Sequence, residues 1–305
     1  MLDADTIPDP DGIMLLVYPM IEEKQLMITS GRNQFVNGSV VEDGVVKEPI
    51  IPTDSFLLVS QTREFFRTNS AKAFFNTINA QMTLVGNFSC YRKEIILKLD
   101  GFADRGLTED CDFNMDAHRL KGRVPGISIK SEVLARGWTQ APYTLGGVFH
   151  QRVRWAGGIF GCYLKYKDMT FKPKYGFVGM YAIPLYWLQI LMFPANFLIN
   201  VLGIPIGLYL NRYSATGQLL VKDFLLWYYV LAFILFFFFE VLVFNYLDWK
   251  FIRSYEKKWD YIYTTAFHLL TGWIFETILM AYSAVGYWRT LAGYGTWGKA
   301  ERTAV

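Results

Sequence analysis

The chain has 305 residues, 52% of them hydrophobic and 17% aromatic, with a formal charge of +3. That charge is too small to argue for nucleic acid. The three cysteines, Cys90, Cys111 and Cys162, lie far apart without C-x-x-C spacing, which excludes a disulfide framework or a thiolate metal site.

The polypeptide opens on Asp3-Ala4-Asp5 with no signal peptide, and Asp9 and Asp11 follow with Pro8 and Pro10 between them. On local sequence the Asp3/Asp5 pair reads more readily as an Asp-rich turn than as hard oxygen ligands for a divalent cation. A short helix is predicted from Asp11 to Glu23 by the spacing of Ile13, Leu16, Val17 and Met20, then a strand from Gln25 to Thr29 entering a Gly31 turn. Asn37-Gly38 and Asp43-Gly44 flank Val-rich runs and predict a surface hairpin. A helix from about Ser60 to Ile78, a strand from Val85 to Tyr91 and a helix from Arg92 to Leu99 lead to Asp100-Gly101-Phe102.

Thr108-Glu109-Asp110 starts a helix predicted to run to Lys121, and carboxylates there complement exposed N–H groups and the helix dipole whatever else they do. Asp112 and Asp104 read as solvated or structural. A strand near Ile127 to Ile129 and an extended link from Ala135 to Ala141 precede an amphipathic, partly aromatic helix from Phe149 to Tyr166. A helix of that kind tends to lie in an interfacial plane. It carries Gln151-Arg152-Val153-Arg154-Trp155. Arg152 suits contact with headgroups, and His150 reads as a capping or packing residue.

From Tyr175 the composition changes, and Tyr175 to Asn211 contains no Asp, Glu, Lys or Arg. Three segments, Phe177 to Leu210, Phe224 to Leu247 and Tyr261 to Trp288, are long enough for membrane helices. Arg152, Arg154, Lys165, Lys167, Lys172 and Lys174 precede the first, which marks the cytoplasmic side. Arg289, Lys299 and Arg302 in the tail conflict with three simple crossings, and a first segment broken by Pro194 and Pro205 offers a hairpin as the alternative. Glu240, His268 and Glu276 are ionisable groups at membrane depth, where such groups face a protein interior or a wet path. Asn196 and Asn200 share a helical face, and Trp227, Tyr228, Trp249, Trp259 and Trp288 read as interfacial anchors.

Asp-x-Asp, Thr-Glu-Asp and Gln-x-x-Arg-Trp in this order, followed by apolar spans, resemble the signature of family 2 processive glycosyltransferases, which include synthases of cellulose, chitin, hyaluronan and poly-N-acetylglucosamine. Gln151 to Gly158 is most similar to the poly-N-acetylglucosamine branch. The resemblance implies an α/β fold, an incomplete GT-A (Rossmann-like) domain over residues 1–174 with the interfacial helix, then membrane helices over 175–288 and a polar tail over 289–305. It implies a membrane-bound inverting transferase, with its catalytic part on the cytoplasmic face of the plasma (inner) membrane, that moves a sugar from a UDP-sugar to a growing polysaccharide and helps export it.

The residue roles follow from the same resemblance. Asp110 is the general base with Glu109 beside it, Asp3 and Asp5 bind donor and Mg2+ or Mn2+, Arg154 meets the pyrophosphate, and Gln151, Trp155 and Gly86 line the acceptor end. Gly86 reads from its own surroundings equally well as a plain strand glycine. The partners implied are the UDP-sugar, a polysaccharide or lipid-linked acceptor, and membrane lipids. The family's opening nucleotide-binding strands are not seen before Asp3, so the chain reads as a C-terminal portion, or as one part of a split enzyme whose other half is a separate chain. Two other functions fit the residues: a non-processive glycolipid (ceramide-type) transferase, and an inactive membrane partner.

Overall fold

A computed structural model describes residues 1–51, 53–82, 84, 86–102, 108–124, 126–212, 227–228, 230–232, 234–235 and 237–293. The chain divides into two units, one of residues 1–187 with 282–305 and one of residues 188–281.

The first unit is α/β. Its elements in chain order are β1 (Ile7–Pro8), α1 (Gly12–Glu22), β2 (Leu26–Phe35), β3 (Val40–Glu42), β4 (Val45–Glu48), α2 (Phe56–Thr77), β5 (Ser89–Tyr91), α3 (Lys93–Lys98), α4 (Glu109–Lys121), β6 (Ser128–Thr139) and α5 (Leu145–Lys165). The main sheet has the order β1-β6-β2-β5. β2 and β6 run parallel, while β1 on β6 and β5 on β2 are antiparallel. β3 and β4 form the expected separate hairpin across Asp43-Gly44.

Successive side chains of a strand point to opposite faces, and β2 shows what each face meets. Ile28 joins Ile129 of β6, Phe113 and Ala117 of α4 and Ile95 of α3 in one apolar cluster. Its neighbour Thr29 turns the other way, where Oγ1 donates to the carbonyl of Leu16 on α1 at 2.8 Å. Leu26, Ile28 and Thr29 are fully buried, and each apolar side chain of this size contributes roughly 1.5–3 kcal/mol.

Two predicted elements differ in the structure. Gly31 is not a turn; β2 continues through it to Phe35. A methyl group on Gly31 would lie 2.3 Å from the Phe88 ring and 2.7 Å from the carbonyl oxygen of Ala135, so the glycine marks a close approach of β5 and β6. The short strand and extended link are one twelve-residue strand, β6. Its two cationic residues are paired on neighbours: Arg136 Nε lies 2.7 Å from Asp9 Oδ2, and Lys130 meets Glu23. α5 also starts earlier than Phe149, because Thr144 caps it by accepting from the N–H of Gly147 at 3.0 Å.

Two helices are long and apolar enough to cross a membrane, Val178–Gly203 and Lys258–Leu291. The first lies mostly within α6 (Ile183–Arg212), and the second is α7. Of the middle expected segment, residues 224–226, 229, 233 and 236 lie outside the described residues, and its described part is not one of these two helices; the side chains of Glu240 and Asn200, all of Asp104, and the tail with Lys299 and Arg302 also lie outside them. In the second unit the turn before α7 is organised around Asp248, which is fully buried. Its carboxylate accepts from the Ser254 N–H (2.9 Å), the Ser254 hydroxyl (2.6 Å) and the Tyr261 hydroxyl (2.6 Å). His268 on α7 is buried and Glu276 half-buried, whereas Trp227, Trp249, Trp259 and Trp288 are exposed.

Candidate active site

α4 presents the first part of the site. Glu109, Asp110 and Asp112 fill its first turn and His118, Arg119 and Lys121 its last, so charges of both signs complement the helix dipole. Thr108 makes no side-chain cap; Oδ1 of Asp110 instead accepts from the N–H of Cys111 at 2.8 Å. Asp112 has a structural role, with both carboxylate oxygens 2.8 Å from Nζ of Lys165 on α5.

Burial drives the Asp110 carboxyl above its usual range, the hydrogen bond from Cys111 opposes that, the Glu109 charge adds to it, and Arg154 pulls it down. A desolvated carboxylate of raised proton affinity is suited to accepting a proton.

Gly86 lies directly against this carboxyl. A methyl group there would sit 2.6 Å from Oδ2 of Asp110 and 3.0 Å from its Cβ and Cγ. Only a hydrogen fits against the Asp110 side chain at this position. The next residue connects to the start of the chain. The N–H of Asp3 donates to the carbonyl of Asn87 at 3.0 Å, and the N–H of Ser89 donates to Met1 at 3.0 Å. The side chain of Asn87 donates to Thr6 Oγ1 at 2.8 Å and accepts from Asn33 of β2 at 2.9 Å. Segment 1–6 is thereby docked along residues 86–89, next to the contact between Gly86 and Asp110.

Asp3 is exposed and Asp5 half-buried. Among the described residues no group of three or more His, Cys, Asp and Glu is gathered as a metal cage. Two carboxylates one residue apart nevertheless fit Mg2+ or Mn2+, which are held by one or two carboxylates and completed by phosphate oxygens and water.

α5 supplies the remaining side chains. Gln151, Arg154 and Trp155 are spaced to share one helical face, and all three are half-buried. Oε1 of Gln151 is buried without a hydrogen-bond donor among the described residues. The Trp155 ring reaches Phe65 of α2 at 6.2 Å between centroids. Arg152 does not face headgroups. It is 7% exposed, its Nη1 donates to Glu64 of α2 at 2.6 Å, and its guanidinium lies 4.7 Å from the Trp155 ring centroid. Nor does α5 lie free: Val148, Arg152, Val153, Phe160 and Tyr163 are buried, and Thr290 near the end of α7 donates to the Gly157 carbonyl at 3.0 Å.

Sequence reasoning passed over three groups. Asn33 and Asn87 link β2 to segment 1–6, and their side chains gave no signal beyond a turn-forming residue type. Lys72 of α2 is 7% exposed, and burial lowers its pKa to about 8 against the opposing charge of Asp110. Small neighbours, Ala71 and Ala73, are its one local sign.

A family model described as "Glycosyl transferase family group 2" matches residues 1–244. A poly-beta-1,6-N-acetyl-D-glucosamine synthase of Staphylococcus aureus (strain COL) is 30% identical over 193 residues, 63% of this chain and 40% of that protein. A protein of the same description from Staphylococcus epidermidis is 28% identical over 324 residues, covering 99% of this chain and 67% of its own length. The chain spans about 40% of the length of the Staphylococcus aureus relative.

Proposed function

The chain belongs to glycosyl transferase family group 2, and from that premise we propose that the intact protein transfers a sugar from a UDP-sugar to a growing polysaccharide, with inversion at the anomeric carbon. The supporting observation is the half-buried Asp110 carboxyl, pressed on Gly86 and acted on by the charges of Glu109 and Arg154.

Asp110 accepts the proton of the acceptor hydroxyl as that oxygen attacks the anomeric carbon. The sugar–phosphate bond breaks on the opposite face, and UDP leaves. Asp3 and Asp5 would hold the divalent cation, which supplies positive charge to the departing diphosphate. Arg154 adds a fixed guanidinium suited to phosphate oxygens, and its charge also favours the ionised form of Asp110. Trp155 offers a face to the terminal acceptor sugar, and the Oε1 of Gln151 accepts from a sugar hydroxyl. The similarity to poly-beta-1,6-N-acetyl-D-glucosamine synthases supports a polysaccharide acceptor over a glycolipid. The two long apolar helices support a membrane location, which we assign to the plasma membrane with the α/β unit cytoplasmic and the polymer passing outward.

Asp110→Asn in the intact protein tests this reading. Donor binding should stay nearly unchanged while transfer falls by about 100-fold or more, the scale of general-base loss. Retained turnover would remove Asp110 from the role.

A further inference from the structure

Residues 166–177 join α5 to the first apolar helix, Val178–Gly203. Backbone hydrogen bonds close this connection on itself: the N–H of Thr170 donates to the carbonyl of Lys167, that of Lys172 to Met169, that of Tyr175 to Lys172, and that of Phe171 to Gly179 at 2.9 Å. Gly179 permits the approach because it has no side chain; a methyl group there would lie 2.6 Å from the Lys172 carbonyl oxygen and 2.8 Å from that of Met169. Tyr166, Met169 and Tyr175 are buried in one apolar cluster with Cys111 and Met115 of α4, Tyr163 of α5 and Val178. The connection is thus fixed against both helices and against the start of the apolar one.

What it leaves outside is Phe171, 67% exposed, Phe177, 57% exposed, and the exposed Lys167, Lys172 and Lys174. Phe171 sits at φ +55°, in the left-handed region, where a β-carbon is crowded and glycine is not. A bulky residue held in strain with its ring outside the cluster contributes nothing to packing that would explain its place, and strain of this kind marks functional sites. The charges are also unbalanced. Asp168 is taken by Arg119 of α4, Lys174 lies over the Tyr175 ring at 4.9 Å, and among the described residues Lys167 and Lys172 form no ion pair. Apolar rings beside unneutralised cations match the layer of a bilayer where headgroup phosphates meet acyl chains. The hydrogen bond from Phe171 to Gly179 ties the loop to the second residue of a helix long and apolar enough to cross a membrane, so the loop lies at the depth where that helix begins.

We propose that residues 167–177 form a binding surface for anionic phospholipid, with Phe171 and Phe177 entering the boundary between headgroups and acyl chains and Lys167, Lys172 and Lys174 meeting headgroup phosphates. This rests on the membrane location assigned above. A zwitterionic headgroup carries its own balancing cation, so lysines here favour phosphatidylglycerol over phosphatidylcholine. Because the loop is packed on α4 and α5, the headgroup layer meets the α/β unit at a fixed place.

The test uses the intact protein in detergent, with dioleoylphosphatidylglycerol or dioleoylphosphatidylcholine added and bound lipid counted by native mass spectrometry. Phosphatidylglycerol should bind more tightly by about tenfold or more, and the combined Lys167→Gln, Lys172→Gln and Lys174→Gln variant should lower that preference by about the same factor. Phe171→Gly should weaken binding of both lipids while its thermal midpoint stays equal or rises, because glycine relieves the left-handed backbone. Phe171→Leu should keep lipid binding. A preference that falls by less than about threefold in the folded triple variant overturns the proposal. So does Phe171→Gly binding both lipids as before, or a lowered midpoint in that variant, which would make the ring a packing group. Millimolar glycerol phosphate should not displace the lipid; displacement would assign the lysines to a soluble phosphate instead. The membrane reading fails separately, if alkaline carbonate extracts the protein from vesicles.

Discussion

Arg152 on α5 and Glu64 on α2 form an ion pair at 2.6 Å, with only 9% and 24% of their side chains exposed. A largely desolvated pair of this kind is lost at a cost when one member is removed, because the other charge stays behind. Arg152→Ala should therefore lower unfolding stability by about 2 kcal/mol or more in a denaturant titration in detergent. A variant of unchanged stability that merely binds membranes less well would show that Arg152 serves the lipid surface instead.

Gly86→Ala places carbon where the Asp110 carboxyl now stands, at 2.6 Å from Oδ2. The carboxyl has to rotate or α4 has to shift, and small displacements of a reacting group cost about 10- to 100-fold in rate. Steady-state kinetics should show the loss in kcat, with donor affinity retained. Full activity in Gly86→Ala would mean that Asp110 is not held where the structure places it.

Trp155→Ala should weaken acceptor binding more than donor binding, by roughly tenfold for an aromatic contact of about 1–1.5 kcal/mol. Because the ring also contacts Phe65 and lies under Arg152, a small drop in thermal midpoint should accompany it. Equal losses for both substrates, measured by separate donor and acceptor titrations, would point to misfolding.

His118 is 1% exposed, with Nε2 at 2.8 Å from the Gln81 carbonyl, and burial lowers its pKa to about 4. The unfolded chain binds this proton at about pH 6.5 and the folded chain does not, so stability rises with pH across that window and is lost on acidification. The contribution approaches roughly 3 kcal/mol by pH 4. His118→Gln, which keeps a donor for Gln81, should flatten stability between pH 6.5 and 4 in thermal unfolding scans. An equally steep acid loss in that variant would assign the effect to other groups.

The hairpin at Asp43-Gly44, the helix behind Thr108 and the Gln151 to Trp155 helix were legible because their signals are local: turn residues, first-turn carboxylates and spacing. β6 was not. Glu132 and Arg136 break its apolar alternation, and Arg136 is paired with Asp9, more than a hundred residues earlier in the chain. Gly31 was read as a turn because what demands it, the Phe88 ring, arrives from a distant strand. The site divides in the same way. Asp110, Arg154 and Gln151 could be named from motifs, whereas the link from Asn33 through Asn87 to Thr6 needs stretches distant in the sequence to be in place.

The bond from Thr290 to the Gly157 carbonyl has a bearing on biosynthesis. α5 leaves the ribosome more than a hundred residues ahead of the stretch from Tyr282 that packs on it through Tyr282, Tyr287 and Thr290. During that interval the helix bearing Gln151 and Trp155 lacks one of its neighbours, and it acquires that neighbour only after the second unit has been made. Nascent chains arrested at Ala281 should thus be cut by protease within α5, and chains extended past Leu291 should resist. Translation order delays completion of the catalytic unit until the apolar helices have emerged.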